Sequence, residues 1–115
     1  WTWHEDLILK ASNGQKIYFC HGKYIDVLKV AQQYGMCTIQ GHYHTQFKIN
    51  YWSNPNELLW GMQVGCLINH KSLAFEYNKL QKCRPVIGTG VIINGLPLLI
   101  PMVLKDNGRW NRKIT

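Results

Sequence analysis

A chain of 115 residues is long enough for one domain with a modest core, and a hydrophobic content of 46% excludes an intrinsically disordered protein. Thirteen basic and six acidic side chains give a net charge of +7, which favours anionic ligands without distinguishing nucleic acid from a phosphate ester. Charged residues make up 17% of the chain, below the ~25% of average soluble domains. We therefore expect residues 1–115 to form a single domain, part of whose aromatic surface needs a partner.

Cysteine usage and the lack of long apolar stretches predict a cytoplasmic protein without membrane contact. No stretch reaches the ~18 apolar residues of a membrane-spanning helix. The scattered positions of Cys20, Cys37, Cys66 and Cys83 favour free thiols in a reducing compartment over a disulfide framework. The sequence begins with Trp1 rather than Met, which predicts a fragment or a processed part of a longer protein.

The first elements in chain order predict a hairpin. Residues 7–9 and 16–20 are apolar runs that flank a Ser-Asn-Gly turn signal at 12–14. The second run is apolar on both faces, which is typical of a central strand covered on both sides.

A strand-helix-strand unit follows. Apolar residues recur at three- and four-residue steps from 24 to 34, which predicts an amphipathic helix closed by Gly35. Residues 36–39 form the next apolar run. Residues 16–40 therefore predict two parallel strands joined by a helical crossover.

The remaining elements are predominantly strands. Alternating residues at 47–51, a turn at 53–56 and a strand at 58–64 precede a loop at 69–80. Residues 86–93 and 96–104 flank Asn94-Gly95 and predict a hairpin, with Pro97 and Pro101 pushing its second strand to a sheet edge. The tail, 105–115, has no core pattern except Trp110. The predicted fold class is thus α/β, a strand-helix-strand unit followed by mostly antiparallel strands.

Three histidines lie at the ends of the two parallel strands. His21-Gly22 ends the first strand, and Gly41-His42-Tyr43-His44 ends the second. In an extended backbone, side chains two residues apart project to the same side, so His42 and His44 could face one metal ion. Because open α/β sheets bind ligands at the carboxyl ends of their strands, we expect the three histidines to meet at one edge.

This order of strand, His-Gly, helix, strand and Gly-His-x-His resembles the C-terminal half of the calcineurin-like metallophosphoesterases of phage and bacterial type. The resemblance implies part of their β-sandwich and a two-metal centre in which His21 and His42 ligate one metal and His44 the other. It implies divalent ions, with manganese first and iron, zinc or nickel as candidates. The substrate would be a phosphodiester or phosphomonoester, with nucleic acid as one candidate.

The first three motifs of that family, which carry its aspartates and an Asn-His pair, are absent. A dinuclear centre needs a negatively charged bridge, and the six acidic residues occur in no such motif. The resemblance therefore implies a phosphoesterase that is active only with a complementary N-terminal half.

Two other functions stay open. A mononuclear zinc hydrolase could use His21, His42 and His44 with one open position. Alternatively, the chain could be an inactive binding or self-assembling module that uses the sheet face beside the helix at 24–34.

The remaining singled-out side chains have simpler readings. The basic side chains at 79, 82 and 84 are candidate phosphate or nucleic-acid contacts, or a solvated face: Lys79, Lys82 and Arg84. His4 and His70 are expected at the surface. Tyr43 is expected to pack on the face opposite its neighbouring histidines.

Overall fold

A computed structural model of the chain describes residues 1–69 and 84–113. Its mixed α/β fold has a five-stranded sheet in the order β1-β2-β3-β5-β4, a two-stranded sheet of β6 and β7, and one short helix. The elements are β1 (Asp6–Lys10), β2 (Lys16–Cys20), α1 (Val27–Tyr34), β3 (Cys37–Gln40), β4 (Phe47–Ser53), β5 (Leu58–Val64), β6 (Gly88–Ile93) and β7 (Leu96–Pro101).

The first hairpin and the central position of its second strand are confirmed. Strands β1 and β2 pair antiparallel, and the turn between them places Gly14 at φ 84°, where glycine carries no steric penalty. Strand β2 lies between β1 and β3, and both Ile17 and Tyr18 are buried. Strand β1 forms one edge of the five-stranded sheet.

The parallel strand-helix-strand unit is also confirmed, but the helix begins at Val27 instead of residue 24. Asp26 has extended backbone angles, and its carboxylate accepts a hydrogen bond of 3.0 Å from the Leu28 amide. That N-cap ends the preceding loop and starts the helix. Gly35 closes α1 as predicted, at φ 60° with its N–H donating to Ala31.

Strand β5 lies between β3 and β4, parallel to the first and antiparallel to the second. The connection at 41–46 therefore runs from β3 across the end of β5 into β4. Gly61 lets the helix approach β5 closely, since a Cβ there would lie 2.8 Å from the Val27 carbonyl oxygen. Helix α1 covers this face of the sheet.

The predicted Asn94-Gly95 hairpin is confirmed, with β6 and β7 packed on the opposite face from α1. Positive φ angles of 50° and 81° at its two turn residues fit the primed turns that join twisted strands. The Trp60 indole N–H donates to the Gly95 carbonyl at 3.2 Å and ties the two sheets together. One cluster of buried hydrophobic residues in the core comprises Ile17, Cys37, Leu59, Trp60 and Met62.

Some predictions concern residues of which the structure describes only a part. Cys20, Cys37 and Cys66 are free thiols as predicted, whereas Cys83 lies outside the described residues. The loop expected at 69–80 also falls outside them, apart from its first residue. No helix in the described ranges is long and apolar enough to cross a membrane.

Candidate metal centre

His21 and His42 meet at the carboxyl ends of two adjacent parallel strands. The Nδ1 atom of His42 lies 3.0 Å from Nε2 of His21, and the two rings are edge to face with centroids 4.8 Å apart. Both side chains are exposed. The register of β2 and β3 pairs Cys20 with Gln40, so the residues that follow these strands start from the same edge of the sheet. Two of the three predicted histidines are therefore brought together.

The backbone at His42 is a tight turn, because its φ is 65° and the Tyr43 N–H donates to the Gly41 carbonyl at 2.7 Å. Positive φ is uncommon for a residue with a Cβ, and such positions cluster at functional sites. The expectation that His42 and His44 project together from an extended strand is wrong, since β3 ends at Gln40.

Gly22 explains why a glycine follows the first histidine. A Cβ at this position would lie 2.8 Å from the His42 Cβ and 3.3 Å from a ring carbon of Tyr43. Any larger side chain would have to push the His42 loop away from His21. Gly22 therefore permits the close approach of the two histidine loops.

A buried glutamine fixes the loop that carries His21. The Gln40 side chain accepts from the Lys23 amide at 3.2 Å and donates to the Tyr24 carbonyl at 2.6 Å. It is fully buried. On the neighbouring strand, the Gln63 amide donates to the Ile25 carbonyl. These bonds satisfy backbone groups of the loop between β2 and α1, which lies outside the helix.

An ion pair ties the same loop to the first strand. The Lys23 ammonium lies 3.0 Å from the Asp6 carboxylate. The Tyr18 hydroxyl and the Lys23 ammonium lower the pKa of Asp6 below its usual value. The Tyr18 hydroxyl has no hydrogen-bond partner among the described residues. The ion pair with Lys23 is therefore the better-supported contact of Asp6.

His44 does not join the histidine pair. Among residues 1–69 and 84–113, no three His, Cys, Asp or Glu side chains form a group that could hold a metal ion. His44 is half-buried, and its carbonyl accepts a hydrogen bond of 2.8 Å from the Val86 amide. The described residues therefore do not show the three histidines as one metal-binding group, and a role of His44 as a metal ligand stays a prediction.

The remaining side chains named in the sequence analysis lie partly within and partly outside the described residues. Lys79, Lys82 and His70 lie outside the described residues, whereas Arg84 and His4 are exposed. Tyr43 contacts His42 edge to face at 5.0 Å between ring centroids, so it does not pack on an opposite face. It supports the His42 ring directly.

A groove of about 670 Å³ lies beside His21, between the N-terminal residues 1–7 and the end of β2. Phe19 and Cys20 line it as well. Burial raises the pKa of the Cys20 thiol. The groove gives a ligand access to His21.

Sequence reasoning missed Gln40 and Gln63, although each is a polar residue in an otherwise apolar strand. They occupy paired positions on β3 and β5. That pairing was hidden because β5 is separated from β3 in sequence by β4. The available signal was the placement of Gln40 directly before the Gly-His step.

The chain matches no known family model, no curated protein and no solved structure. Function must therefore be argued from the residues themselves. In the described residues, two imidazole nitrogens face each other in an exposed position, and neutral imidazole is a common metal ligand.

Proposed function

We propose that His21 and His42 bind one divalent metal ion and that the chain supplies the histidine part of a phosphoesterase centre. This proposal rests on the distance of 3.0 Å between Nδ1 of His42 and Nε2 of His21. Neighbouring ligands of a six-coordinate ion, each about 2.1 Å from it, lie about 3.0 Å apart. The two nitrogens therefore have the spacing of two ligands on one metal.

A hydrogen bond between the two imidazoles would have the same distance. An exposed hydrogen bond of this kind contributes little net stability, because water can replace either partner. It gives no reason for the close approach at Gly22 or for the positive φ at His42. A shared ligand gives that reason, since both features bring the two imidazoles together.

A metal ion held there would polarise a phosphoryl oxygen and lower the pKa of a bound water. His21 and His42 would hold the ion through Nε2 and Nδ1, and the groove beside His21 would admit the substrate. His44 remains the candidate ligand for a second ion, as the resemblance to the metallophosphoesterases implies. The Asp6 carboxylate is paired with Lys23 in the loop that carries His21.

We infer that the bridging carboxylates come from a complementary N-terminal half. Manganese prefers oxygen ligands, whereas imidazole suits zinc, iron and nickel. The histidine pair by itself should therefore bind zinc or nickel measurably and manganese poorly. Manganese binding is expected once carboxylates complete the centre.

Calorimetric titration with Zn²⁺ and Ni²⁺ tests the pair. We expect His21→Ala and His42→Ala each to abolish most of the heat, whereas the control Thr89→Ala, at an exposed position of β6 outside the groove, should leave it unchanged. Indistinguishable heats for wild type, His21→Ala and His42→Ala would reject the metal site.

A second assay tests the division of the centre. The isolated chain should not hydrolyse an aryl phosphodiester, and activity should appear when an N-terminal half with the aspartate motifs and Mn²⁺ are added. Rapid turnover by the 115-residue chain alone would reject the divided centre and favour the mononuclear zinc alternative.

A binding or self-assembling module is the second candidate, favoured by the apolar side chains of β1. Ile8 and Leu9 are 52% and 48% exposed, and they lie on successive positions of an edge strand. Successive side chains point to opposite faces, so apolar surface is open on both sides of this edge. A second chain or an N-terminal half could cover it.

A further inference from the structure

The C-terminal residues form a small hairpin-like loop outside both sheets. Leu104 pairs antiparallel with Trp110, and the Lys105 amide donates to the Arg109 carbonyl at 2.7 Å. Gly108 turns the chain at φ 76°. The loop therefore has a defined backbone, although the sequence pattern predicted only a basic tail.

This loop gathers cations around a polar cavity of about 470 Å³. Lys105, Arg109 and Arg112 line it together with two asparagines and Trp110. Within residues 1–69 and 84–113, none of these three cations forms an ion pair with a carboxylate, although Asp106 belongs to the same loop.

Trp110 also lines a second, apolar groove of about 380 Å³. The groove is formed mainly by Leu67, Ile68, Ile87, Met102 and Leu104. The Trp110 indole N–H is buried and has no hydrogen-bond acceptor among the described residues. One aromatic side chain thus lines both a cationic cavity and an apolar groove.

We propose that this loop, which we call the Trp110 loop, binds single-stranded nucleic acid. Arg109 and Arg112 can each present a planar fork of donors to phosphate oxygens. A base can lie in the apolar groove against Trp110, since stacking on aromatic side chains contributes about 1–3 kcal/mol per base. A single strand carries both phosphates and flat bases, which suit the cationic cavity and the apolar groove that share Trp110.

A membrane surface is the competing partner, because anionic headgroups would also contact the cations. Two concave sites that share Trp110 fit a narrow strand with projecting bases better than a flat lipid surface. The net charge of +7 would raise the association rate with either polyanion. The shape of the Trp110 loop therefore favours nucleic acid over a membrane surface. Lipid vesicles are included in the test as the competing ligand.

The test measures fluorescence anisotropy of a labelled single-stranded oligonucleotide with the 115-residue chain. The double variant Arg109→Gln, Arg112→Asn removes two cations, and asparagine suits the φ of 61° at position 112. The matched control is Lys10→Gln, Lys16→Gln, which removes the same charge from a pair of lysines opposite each other on β1 and β2.

Each phosphate contact to single-stranded nucleic acid changes the slope of log affinity against log salt concentration by about 0.7. At 0.1 M salt this corresponds to about a fivefold contribution to affinity. The Trp110-loop variant should therefore bind roughly 25-fold more weakly at that salt, with a slope smaller by about 1.4. The control should lose much less. Equal losses in the two variants, or no binding by wild type, would overturn the proposal.

Vesicles of phosphatidylserine and phosphatidylcholine provide the lipid arm. Loss of vesicle binding in the Trp110-loop variant with unchanged oligonucleotide binding would assign the loop to a membrane and overturn the proposal. The histidine pair is separate from this loop, so His42→Ala should retain full oligonucleotide affinity. A zinc titration that rejects the metal site would therefore not contradict nucleic-acid binding by the Trp110 loop.

Discussion

Gln40 and Gln63 lie side by side on the parallel strands β3 and β5, and both amides bond to the loop that carries His21. Gln40 uses both ends of its amide. The Oε1 atom of Gln63 has no partner among the described residues. Both buried side chains therefore stabilise the same loop, but Gln63 contributes less free energy because its oxygen is unpaired.

Gln40→Leu should destabilise the protein more than Gln63→Leu. The first substitution leaves the Lys23 amide and the Tyr24 carbonyl without partners, which we expect to cost about 1–3 kcal/mol of unfolding free energy. The second removes one bond but also removes a buried oxygen that is already unpaired. Urea unfolding of both variants measures the difference. A larger loss in Gln63→Leu would contradict this account of the loop.

Gly22→Ala should weaken metal binding through position rather than through ligand loss. Its Cβ would lie 2.8 Å from the His42 Cβ, so the two imidazoles would have to separate. The matched control is Gly41→Ala, whose Cβ would meet only the His21 carbonyl at an ordinary 3.8 Å. Zinc titration should show weaker affinity for Gly22→Ala and little change for Gly41→Ala. Equal affinities in both variants would show that the close approach does not hold the site.

The Asp6–Lys23 pair should make stability depend on pH. Because the pKa of Asp6 is lowered in the folded protein, its stabilising contribution is present above the ordinary carboxyl pKa and is lost as pH falls through the lowered pKa. The pKa of Lys23 is raised, chiefly by its hydrogen bond to Asp6. Its contribution is therefore present below the ordinary lysine pKa and lost as pH rises through the raised value.

Thermal unfolding across pH measures this pair. Lys23→Met should reduce stability at neutral pH and approach wild type in acid, where Asp6 is protonated. Lys10→Met, a substitution on the exposed edge strand, should show no such convergence. A constant difference between Lys23→Met and wild type at every pH would argue against the ion pair.

The open apolar surface of β1 should promote association. Ile8 is 52% exposed on an edge strand, and such strands pair readily with other chains. Sedimentation at micromolar concentration should detect dimers or larger species. Ile8→Lys should shift them toward monomer, since a charge on an edge strand opposes pairing. A clean wild-type monomer that binds no hydrophobic dye would contradict the prediction.

Local patterns predicted the elements but not the order of the strands. The Asn94-Gly95 turn and the helix-ending Gly35 each act within a few residues, so their signals lie in the sequence. The insertion of β5 between β3 and β4 depends on contacts between distant residues. Hydrophobic alternation gave no information on which strand would be its neighbour.

The histidine site was predictable only in part for the same reason. Parallel pairing of β2 and β3 correctly implied that the residues after them share one edge, and His21 and His42 meet there. The positive φ at His42 carries no sequence signal, since glycine, not histidine, is the usual residue in that conformation. This turn interrupts the extended backbone that was expected across 42–44.

The route of the connection at 41–46 has a consequence for the order of folding events. Strands β4 and β5 are neighbours in sequence and pair with each other, so their hairpin can form early, whereas the pairing of β3 with β5 closes a longer loop. Crossing the end of one strand requires a span of about 9.6 Å, twice the strand spacing of about 4.8 Å. Six residues can extend about twice that far, and the surplus chain is taken up in the turn at His42. The histidine pair depends on the pairing of β2 with β3 across the helix, so we expect the site to form after the more local hairpin of β4 and β5.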